Sequence, residues 1–557
     1  MDQCLMTKKS NCKNCYKCIR HCPIKALRMT DGQAHIIREE CILCGECYVV
    51  CPQEAKQIRN DVDKVKAMLQ SGVPVYLSVA PSYAAKYREY DLSDIAEAAK
   101  RLGFAGVEET SVGARAVTKE YERIMENREQ DIVISTCCPT VNLLIEKHFK
   151  NAVKYMAKVV TPMHAHSILL KERYQGCKVV FLGPCISKKY EAENVAQTVD
   201  AVITFDEFDA WLEGESVTVE KSGLTTEKHK TNIYPTSGGV LKTMIQSDVY
   251  DYVVIDGVEK CIKALSDIEN GNLKNCFIEM SACSGSCIEG PVMRRSERNP
   301  VIDNLSVQKN TGEVDFELND YSEASLKMQF VEKGITQIMP NSVAIDEILR
   351  NMGKDTKEKE LNCGSCGYNT CREKAIAVFK GKADLSMCMP YLKEKAESFS
   401  DTIIKNTPNG IIVLDEQLNV QMINNSARRI LNLPKSTEIV GSPVVRILDP
   451  FDYVMAISDS HNVNGKQKYL AEYQKYVEET IIYDKEYHIV MIMMKDISGE
   501  EIARSRKEEQ SKAAIEITDK VVEKQMRIVQ EIASLLGETT AETKIALTKL
   551  KETLSDE

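Results

Sequence analysis

The residues that most directly suggest chemistry in this sequence are its 21 cysteines. The clearest pattern lies near the N-terminus, where two runs of four cysteines share one spacing and each is followed by a proline. The runs are Cys12, Cys15, Cys18, Cys22 and Cys41, Cys44, Cys47, Cys51. This duplicated spacing is typical of bacterial proteins that bind two 4Fe–4S clusters.

The fourth cysteine of each run, next to proline, is expected to leave in another direction and to bind the other cluster. The predicted ligand sets are therefore Cys12, Cys15, Cys18 with Cys51, and Cys41, Cys44, Cys47 with Cys22. Two structural zinc sites are the alternative, because Cys-x2-Cys pairs also bind zinc.

A third cysteine group has a different spacing and consists of Cys363, Cys366, Cys371 and Cys388. Glycines between its close cysteines would allow backbone amides to approach a cluster. The segment resembles the small 4Fe–4S domain of corrinoid proteins and electron-transport complexes, and structural zinc is the alternative. A cubane here would lengthen the path of electrons.

The middle of the chain must position the remaining patterned cysteines. Three apolar runs there are each followed by a helix-like stretch: Val73–Val79, Asp131–Ser135 and Val179–Leu182. They predict an α/β domain with mainly parallel strands, and such sheets place their sites where strands end. Four cysteines lie on turns of this kind and form a predicted cage for one more cubane: Cys138, Cys185, Cys283 and Cys287.

Over roughly residues 1–350 the sequence resembles the large subunit of iron-only (FeFe) hydrogenases, whose three cysteine signatures occur here in the same order. The resemblance implies an H-cluster, which is a 4Fe–4S cubane joined to a two-iron unit with CO, CN and a bridging dithiolate. It implies that the four caged cysteines hold the cubane and that Cys287 bridges to the two-iron unit.

The same resemblance implies roles for several neighbours of these cysteines. Lys188 matches a lysine that hydrogen-bonds a cyanide, and Cys137 matches a thiol that passes protons to the cofactor. Ala80, Pro81 and Ser82 match the segment that packs against the diatomic ligands. Glu289 is a candidate substitute proton carrier, and a solvated or capping glutamate is the alternative.

Some positions depart from the family pattern. Gly183 and Ser281 stand where catalytic relatives usually have methionine. Relatives often carry paired glutamates before the first signature, but the matching stretch Val117–Tyr121 holds only Glu120. These changes keep the predicted cluster ligands but alter the residues around them, which tune reduction potential and proton supply. We therefore expect modest rates of hydrogen turnover.

Residues 400–497 contain no cysteine and resemble a PAS domain in the order of their elements. Predicted strands cover Gly410–Leu414, Val420–Ile423, Tyr469–Tyr473, Glu478–Tyr483 and Glu486–Met494. After Glu500 the chain is polar and helical, with apolar residues seven apart that predict a short, imperfect coiled coil: Ala514, Val521, Ile528 and Leu535. The alternative to the coiled coil is a single amphipathic helix that lies on the protein. A second helical segment is predicted beyond Gly537.

The predicted fold class is a multidomain α/β protein with five segments. They are a two-cluster ferredoxin-like domain over 1–60, an H-cluster domain over 70–353, a 4Fe–4S domain over 355–395, an α+β PAS-like domain over 398–498, and a C-terminal helical or coiled-coil segment over 499–557. The net charge of -10 argues against nucleic acid as a partner. No apolar run reaches the length of a membrane span and no export signal is visible, so a cytoplasmic location is expected.

Two functions from different classes fit these features. The first is an enzyme, an FeFe hydrogenase that interconverts H2 with protons and electrons and exchanges electrons with a partner such as a ferredoxin. Its PAS and coiled-coil segments would serve hydrogen or redox sensing through a homodimer and a signalling partner. The alternative is an H-cluster-like iron–sulfur protein that lacks the two-iron unit and acts in electron transfer or iron–sulfur assembly.

Overall fold

The computed structural model describes residues 4–8, 11–294, 298–318, 322–335, 338–434, 436–459 and 462–554. The chain forms two compact units, Met1–Leu392 and Lys393–Glu557. None of the described helices combines the length and the apolar character that crossing a membrane requires.

The N-terminal part of the first unit is built from two similar halves. Its elements are β1 Leu5–Thr7, α1 Lys17–His21, β2 Leu27–Thr30, β3 Gln33–Ile36, α2 Glu46–Val49 and β4 Lys56–Ile58. β1 pairs antiparallel with β4, and β2 with β3. The residues before the two helices, Tyr16 and Gly45, both have left-handed backbone conformations. The duplicated cysteine spacing is therefore matched by a duplicated backbone path.

Strands and helices alternate in the middle of the first unit. The strands are β5 Val75–Val79, β6 Gly106–Glu109, β7 Ile132–Ile134, β8 Lys178–Gly183, β9 Ala201–Thr204, β10 Asp251–Asp256 and β11 Cys276–Ser281. They form two parallel sheets, with the orders β6-β5-β8-β9 and β10-β11-β7. Parallel pairing confirms the α/β prediction, and the near-continuous apolar composition of β5, β7 and β8 reflects burial on both faces.

The helices of this region cover the two sheets. They are α3 Val62–Leu69, α4 Tyr83–Lys86, α5 Leu92–Arg101, α6 Ser111–Glu126, α7 Pro139–His148, α8 Pro162–Arg173, α9 Ser187–Asn194, α10 Phe205–Gly214, α11 Gly239–Thr243, α12 Val258–Glu269, α13 Pro291–Arg294 and α14 Pro300–Lys309. Proline occupies the first turn of α7 and α8, where its missing N–H has no helical partner to lose. Because of this, α7 starts directly after Cys138.

The first unit ends with a small helical domain that contains the third cysteine group. Its helices are α15 Ser342–Asn351 and α16 Cys371–Phe379, and α17 Met389–Asn406 begins directly after Cys388. Residues of this domain share a buried apolar cluster with α1 and its surroundings, which includes Ile19, Cys22, Cys366 and Tyr368.

The second unit contains a five-stranded antiparallel sheet of order β13-β12-β16-β15-β14. Its elements are β12 Gly410–Asp415, β13 Val420–Ile423, α18 Asn425–Ile430, α19 Phe451–Asp459, β14 Val463–Leu470, β15 Lys475–Asp484, β16 Ile489–Asp496 and α20 Ser498–Leu554. Alternate residues of β12 and β15 are buried against the short helices, so the sheet has one core face. The mixed fold class with a helical C-terminus is thus confirmed.

Three local predictions differ from the structure. The strand expected at Tyr469–Tyr473 is instead β14, because this edge strand is largely exposed and polar and so lacks an apolar alternation. Gly537 does not divide the last helix, since one exposed glycine costs only about 1 kcal/mol relative to alanine. The parallel strands belong to two sheets, a division that apolar runs alone do not indicate.

Candidate functional site

A cavity of about 120 Å³ lies where strands of the two parallel sheets end. Residues after β5 and β8 form its walls on one side, and residues after β7 and β11 form them on the other. The carboxyl ends of parallel strands lie at one edge of a sheet, so two such edges can converge on one space. The walls are mainly apolar, with few polar side chains that reach the cavity.

The four cysteines of the predicted cage all line this cavity. They are Cys138, Cys185, Cys283 and Cys287. Cys287 has the largest accessible surface of the four, but burial still raises the pKa of its thiol, so this surface faces the cavity. It lies on a short helical turn, Ser286–Glu289. Gly285 precedes this turn with a φ of +82°, a conformation that favours glycine. The tertiary structure therefore brings together residues from three distant signatures.

Cys137 lines the same cavity beside two tyrosines. Its Sγ is 3.2 Å from the Tyr121 hydroxyl and donates to the Tyr234 hydroxyl at 3.6 Å. Burial raises the pKa of the Cys137 thiol to about 11, although both tyrosine hydroxyls counteract this. The Tyr121 hydroxyl also accepts a hydrogen bond from the backbone N–H of Thr136, at 2.8 Å, which fixes its position.

Glu120 points away from the cavity, although it is the one glutamate in the stretch Val117–Tyr121, where relatives often carry two. Its carboxylate is buried and accepts a hydrogen bond from Arg123 at 3.0 Å. Successive helical residues face directions about 100° apart, so only Tyr121 can reach Cys137 from this turn of α6. The immediate neighbours of the thiol are consequently phenol groups and not a carboxylate.

Lys188 lines the cavity and is held by a buried network. Its ammonium donates to Thr161 Oγ1 at 3.0 Å and to Glu191 Oε2 at 2.8 Å, which leaves one N–H for the cavity. Burial disfavours the charged form, but Glu191 outweighs this and raises the pKa of Lys188. Glu191 Oε1 in turn lies 3.7 Å from His164 Nε2.

Ser82 supplies a further test of what the cavity can hold. Its side chain is fully buried and lines the cavity with Ala80 and Pro81, and its Oγ has no hydrogen-bond partner among the described residues. Leaving a buried hydroxyl unsatisfied is costly. A group with anionic or acceptor ligands would satisfy both this hydroxyl and the remaining N–H of Lys188, so the donor set fits a bound cofactor of that chemistry.

The structure distinguishes two glutamates near the third signature. Glu289 is half-buried outside the cavity lining, with its carboxyl group against Gly285, and burial raises its pKa. Glu279 lines the cavity, and its carboxylate accepts backbone hydrogen bonds from Gly238 and Leu241, each at 3.0 Å. Burial raises the pKa of Glu279 to about 7. Glu279 has no predicted role, although an acid within the mainly apolar strand β11 is a usable signal.

A second cavity belongs to the ferredoxin-like domain. It is lined by one of the two predicted ligand sets, Cys22, Cys41, Cys44 and Cys47. Cys44 lines both this cavity and the larger one, so the two sites share a wall. A Cβ atom at Gly45 would lie 2.5 Å from a side-chain carbon of Pro291, so glycine is required for this close approach. Cys12, Cys15 and Cys51 are the thiols that act electrostatically on Cys18, which agrees with the other set.

The third cysteine group surrounds a cavity of its own. Cys363, Cys366, Cys371 and Cys388 all line it. Within the described part of the chain, no three cysteine, histidine or acidic side chains converge closely enough to hold a single metal ion. The cysteines surround cavities instead, an arrangement that suits clusters.

The central region is similar to a known family. Residues 73–291 match the family described as the iron only hydrogenase large subunit, C-terminal domain. The middle of this chain is therefore similar to that family. This match is preceded by a 4Fe–4S dicluster domain match at residues 5–63 and followed by an Fe–S cluster family match at residues 360–390 and a PAS domain match at residues 398–465. The resemblances to FeFe hydrogenases and to PAS domains are therefore confirmed.

Individual relatives match shorter parts of the chain. One component of the ion-translocating oxidoreductase complex of Methanosarcina acetivorans is 44% identical over 48 residues, which are 9% of this chain and 18% of that protein. A ferredoxin of Saccharopolyspora erythraea is 33% identical over 76 residues, which are 13% of this chain and 72% of that protein. This chain thus spans less than a fifth of the length of the first of these relatives.

Solved structures that resemble the chain include a variant of the FeFe-hydrogenase of Chlamydomonas reinhardtii. It is 16% identical, with a TM-score of 0.37, and the match covers 50% of this chain and 100% of that one. A PAS domain from Haloarcula marismortui is 19% identical, with a TM-score of 0.16, and covers 19% of this chain and 99% of that one.

The assignment of Cys22 to the site of Cys41 can be tested by counting iron. Cys22→Ala should lower the iron bound by the reconstituted chain by about four atoms, because a cubane loses one of its ligands. Adding Cys41→Ala should remove little more iron, whereas adding Cys12→Ala should remove about four further atoms. Cys4→Ala, which changes a buried cysteine outside every pattern, is the matched control. Equal further losses in the two double variants would contradict the assignment.

Proposed function

We propose that this protein is an FeFe hydrogenase that slowly interconverts H2 with protons and electrons and serves hydrogen or redox sensing. The observation that supports this most strongly is the convergence of Cys138, Cys185, Cys283 and Cys287 on one buried cavity together with Cys137 and Lys188. A cavity for a cubane alone would need only the four thiolates. The additional ammonium, thiol and unsatisfied serine hydroxyl fit a larger group with anionic ligands.

The proposed cofactor of the cavity is an H-cluster. Cys138, Cys185 and Cys283 would hold its cubane, and Cys287, the most exposed of the four, would bind the cubane and the two-iron unit together. The two-iron unit, when bound, supplies the metal site at which H2 is split or formed. Three accessory 4Fe–4S clusters would occupy the other cysteine sets and exchange electrons with a redox partner such as a ferredoxin.

The chain's own residues would hold and orient this group. The free N–H of Lys188 and the Ser82 hydroxyl would donate to its anionic ligands, and the apolar walls would exclude water, which strengthens those bonds. Glu191 keeps Lys188 charged and fixes the direction of its ammonium. Ala80 and Pro81 complete the wall next to the serine.

Cys137 would hold the transferable proton at its Sγ. Its raised pKa keeps the thiol protonated at neutral pH, so it donates a proton first and must then regain one. The groups in contact with it are the hydroxyls of Tyr121 and Tyr234, whose pKa values burial raises far above neutrality. Phenols that resist ionisation relay protons slowly, which supports modest turnover.

The second unit supports a sensing role. A PAS domain and a 57-residue helix follow the cluster-binding domains along the chain, and the helix exposes apolar side chains at heptad spacing. We propose that this helix forms a homodimeric coiled coil and binds a signalling partner. Because the cysteines must remain reduced to bind iron, we propose that the protein works in the cytoplasm.

The decisive experiment is infrared spectroscopy of the full chain after it has been loaded with the two-iron unit. CO and CN stretching bands that respond to H2 are expected, because only a bound two-iron unit carries these ligands. Lys188→Met should weaken or abolish them, whereas Lys189→Arg, a conservative change at the neighbouring buried lysine, should leave them unchanged. If the wild-type chain shows no such bands, the alternative of an iron–sulfur protein in electron transfer or cluster assembly replaces this proposal.

Proton transfer through the thiol has its own test. Cys137→Ala should slow H2 evolution by at least about a hundredfold, the scale of a lost general acid, while the CO and CN bands persist. Cys177→Ala changes a buried cysteine outside the cavity and should have little effect. If Cys137→Ala keeps its rate and Glu289→Gln loses it, proton transfer runs past Glu289 instead.

The proposed dimer depends on one face of α20. Val521, Ile528, Ile532 and Leu535 are all exposed in the single chain. Ile532→Lys should convert the dimer to a monomer in light-scattering measurements, because it places charges in the apolar seam. Gln530→Lys, on the opposite face of the same helix, is the control and should remain dimeric. A wild-type chain that is monomeric at micromolar concentration would refute the dimer.

A further inference from the structure

The cavity of the third cysteine group is lined by two buried lysines. Lys374 is 1% exposed and Lys354 is 7% exposed. The Lys374 ammonium donates to the backbone carbonyl of Asp384, and the Lys354 ammonium donates to that of Lys359 at 2.9 Å. Both bonds are to neutral carbonyl groups, so neither ammonium is neutralised by the group that holds it.

The charges of these lysines act mainly on the four thiols. Lys354 acts on Cys363 and Cys371, and Lys374 acts on Cys366 and Cys388. The carboxylate of Asp384 is the negative group that also acts on Lys374, and it accepts hydrogen bonds from the backbone and side chain of Ser386. No carboxylate is among the described residues that line this cavity.

The neighbouring site in the ferredoxin-like domain has a different charge environment. Its described lining contains one charged residue, Glu46, together with Cys22, Cys41, Cys44 and Cys47. Three lysines act electrostatically on its thiols from outside this lining: Lys25, Lys56 and Lys147. The Lys56 ammonium is bonded to Thr7 and Ala34. The third site therefore has the more cationic lining of the two.

The third site is also attached directly to that ferredoxin site. Cys366 and Tyr368 share one buried cluster with Ile19 and Cys22. The carbonyl of Gly367 accepts a hydrogen bond from Lys25 at 3.0 Å, and a Cβ atom on this glycine would lie 3.0 Å from a methyl group of Ile19.

The ferredoxin site thus has the hydrogenase cavity on one side, through Cys44, and the third cysteine group on another, through Cys22. Cys18, from the other predicted ligand set, packs against the same buried cluster, so the third group lies beside both ferredoxin sites.

We propose that the cluster of Cys363, Cys366, Cys371 and Cys388 is an electron reservoir beside the ferredoxin-like domain, with its reduction favoured by Lys354 and Lys374. Positive charge stabilises the reduced, more negative form of a cubane and so raises its reduction potential. The step moves one electron from the reduced ferredoxin cluster, which is oxidised, to the third cluster, which is reduced, without breaking bonds. In the proposed function this electron comes from H2, and the reservoir would report it next to α17, which begins directly after Cys388.

The test uses the full chain with its four cubanes but without the two-iron unit, so it does not depend on hydrogenase activity. Redox titration followed by electron paramagnetic resonance identifies the third cluster as the signal that Cys371→Ala removes. In the wild type this accessory cluster should be reduced first. Lys374→Met should lower its reduced-to-oxidised ratio at a fixed potential about tenfold, a shift of about 59 mV for one electron. The other signals should not move.

Two controls separate the local charge from general effects. Lys357→Met removes the same charge from an exposed position of the same domain and should leave the ratio unchanged. Lys374→Arg keeps the charge and should hold the wild-type ratio. If Lys374→Met loses its iron, Lys354→Met has the same expected tenfold effect. The reservoir proposal would be overturned by an unchanged reduced-to-oxidised ratio in whichever lysine-to-methionine variant keeps its iron. A third cluster that is reduced last in the wild type would also overturn it.

Discussion

The structure depends on one constraint, which is that the carboxyl ends of two parallel sheets must meet at a single cavity. The four cage cysteines and Ser82 follow strands of these sheets, and each strand is fixed by its hydrogen bonds to parallel neighbours. Buried, nearly all-apolar strands therefore hold these cavity residues in place. A small slip of β8 against β5 would displace Cys185 and Lys188 together.

Charge inside this apolar region is tolerated because each charged group has a specific compensation. Lys188 is held by Glu191, and Glu279 accepts two backbone N–H groups. These arrangements avoid the cost of an unpaired buried ion, but they also leave defined capacity for a ligand, namely one ammonium N–H and the Ser82 hydroxyl. Cys137 has no charged partner of this kind among the described residues, because its hydrogen-bonding neighbours are two phenol groups that do not ionise near neutral pH. The cavity is consequently better equipped to hold an anionic group than to move protons quickly.

Much of the fold was predictable because its signals are local. Cysteine spacing, apolar runs and the order of strands and helices indicated every domain type, and the cage cysteines could be named from their positions after strands. The edge strand β14 was misplaced because an exposed strand has no apolar alternation to detect. Tyr234 was not predicted because nothing in its neighbouring residues marks it as a cavity residue, whereas Glu279 could have been identified as the one acid within a mainly apolar strand.

The sequence by itself determined the number and kind of cysteine sets, since ligand spacing along a chain reflects the shape of the cluster that it surrounds. It also determined that Cys137, Lys188 and Ser82 lie a few residues after strands, near those ligands. Only the tertiary structure decided that Tyr121, and not Glu120, contacts the thiol, because the direction of a side chain depends on how its helix is rotated against the sheet. It likewise decided that Cys44 borders two cavities and that the third cysteine group packs beside Cys22, because these neighbours are far apart in the chain and meet only when separate domains pack together.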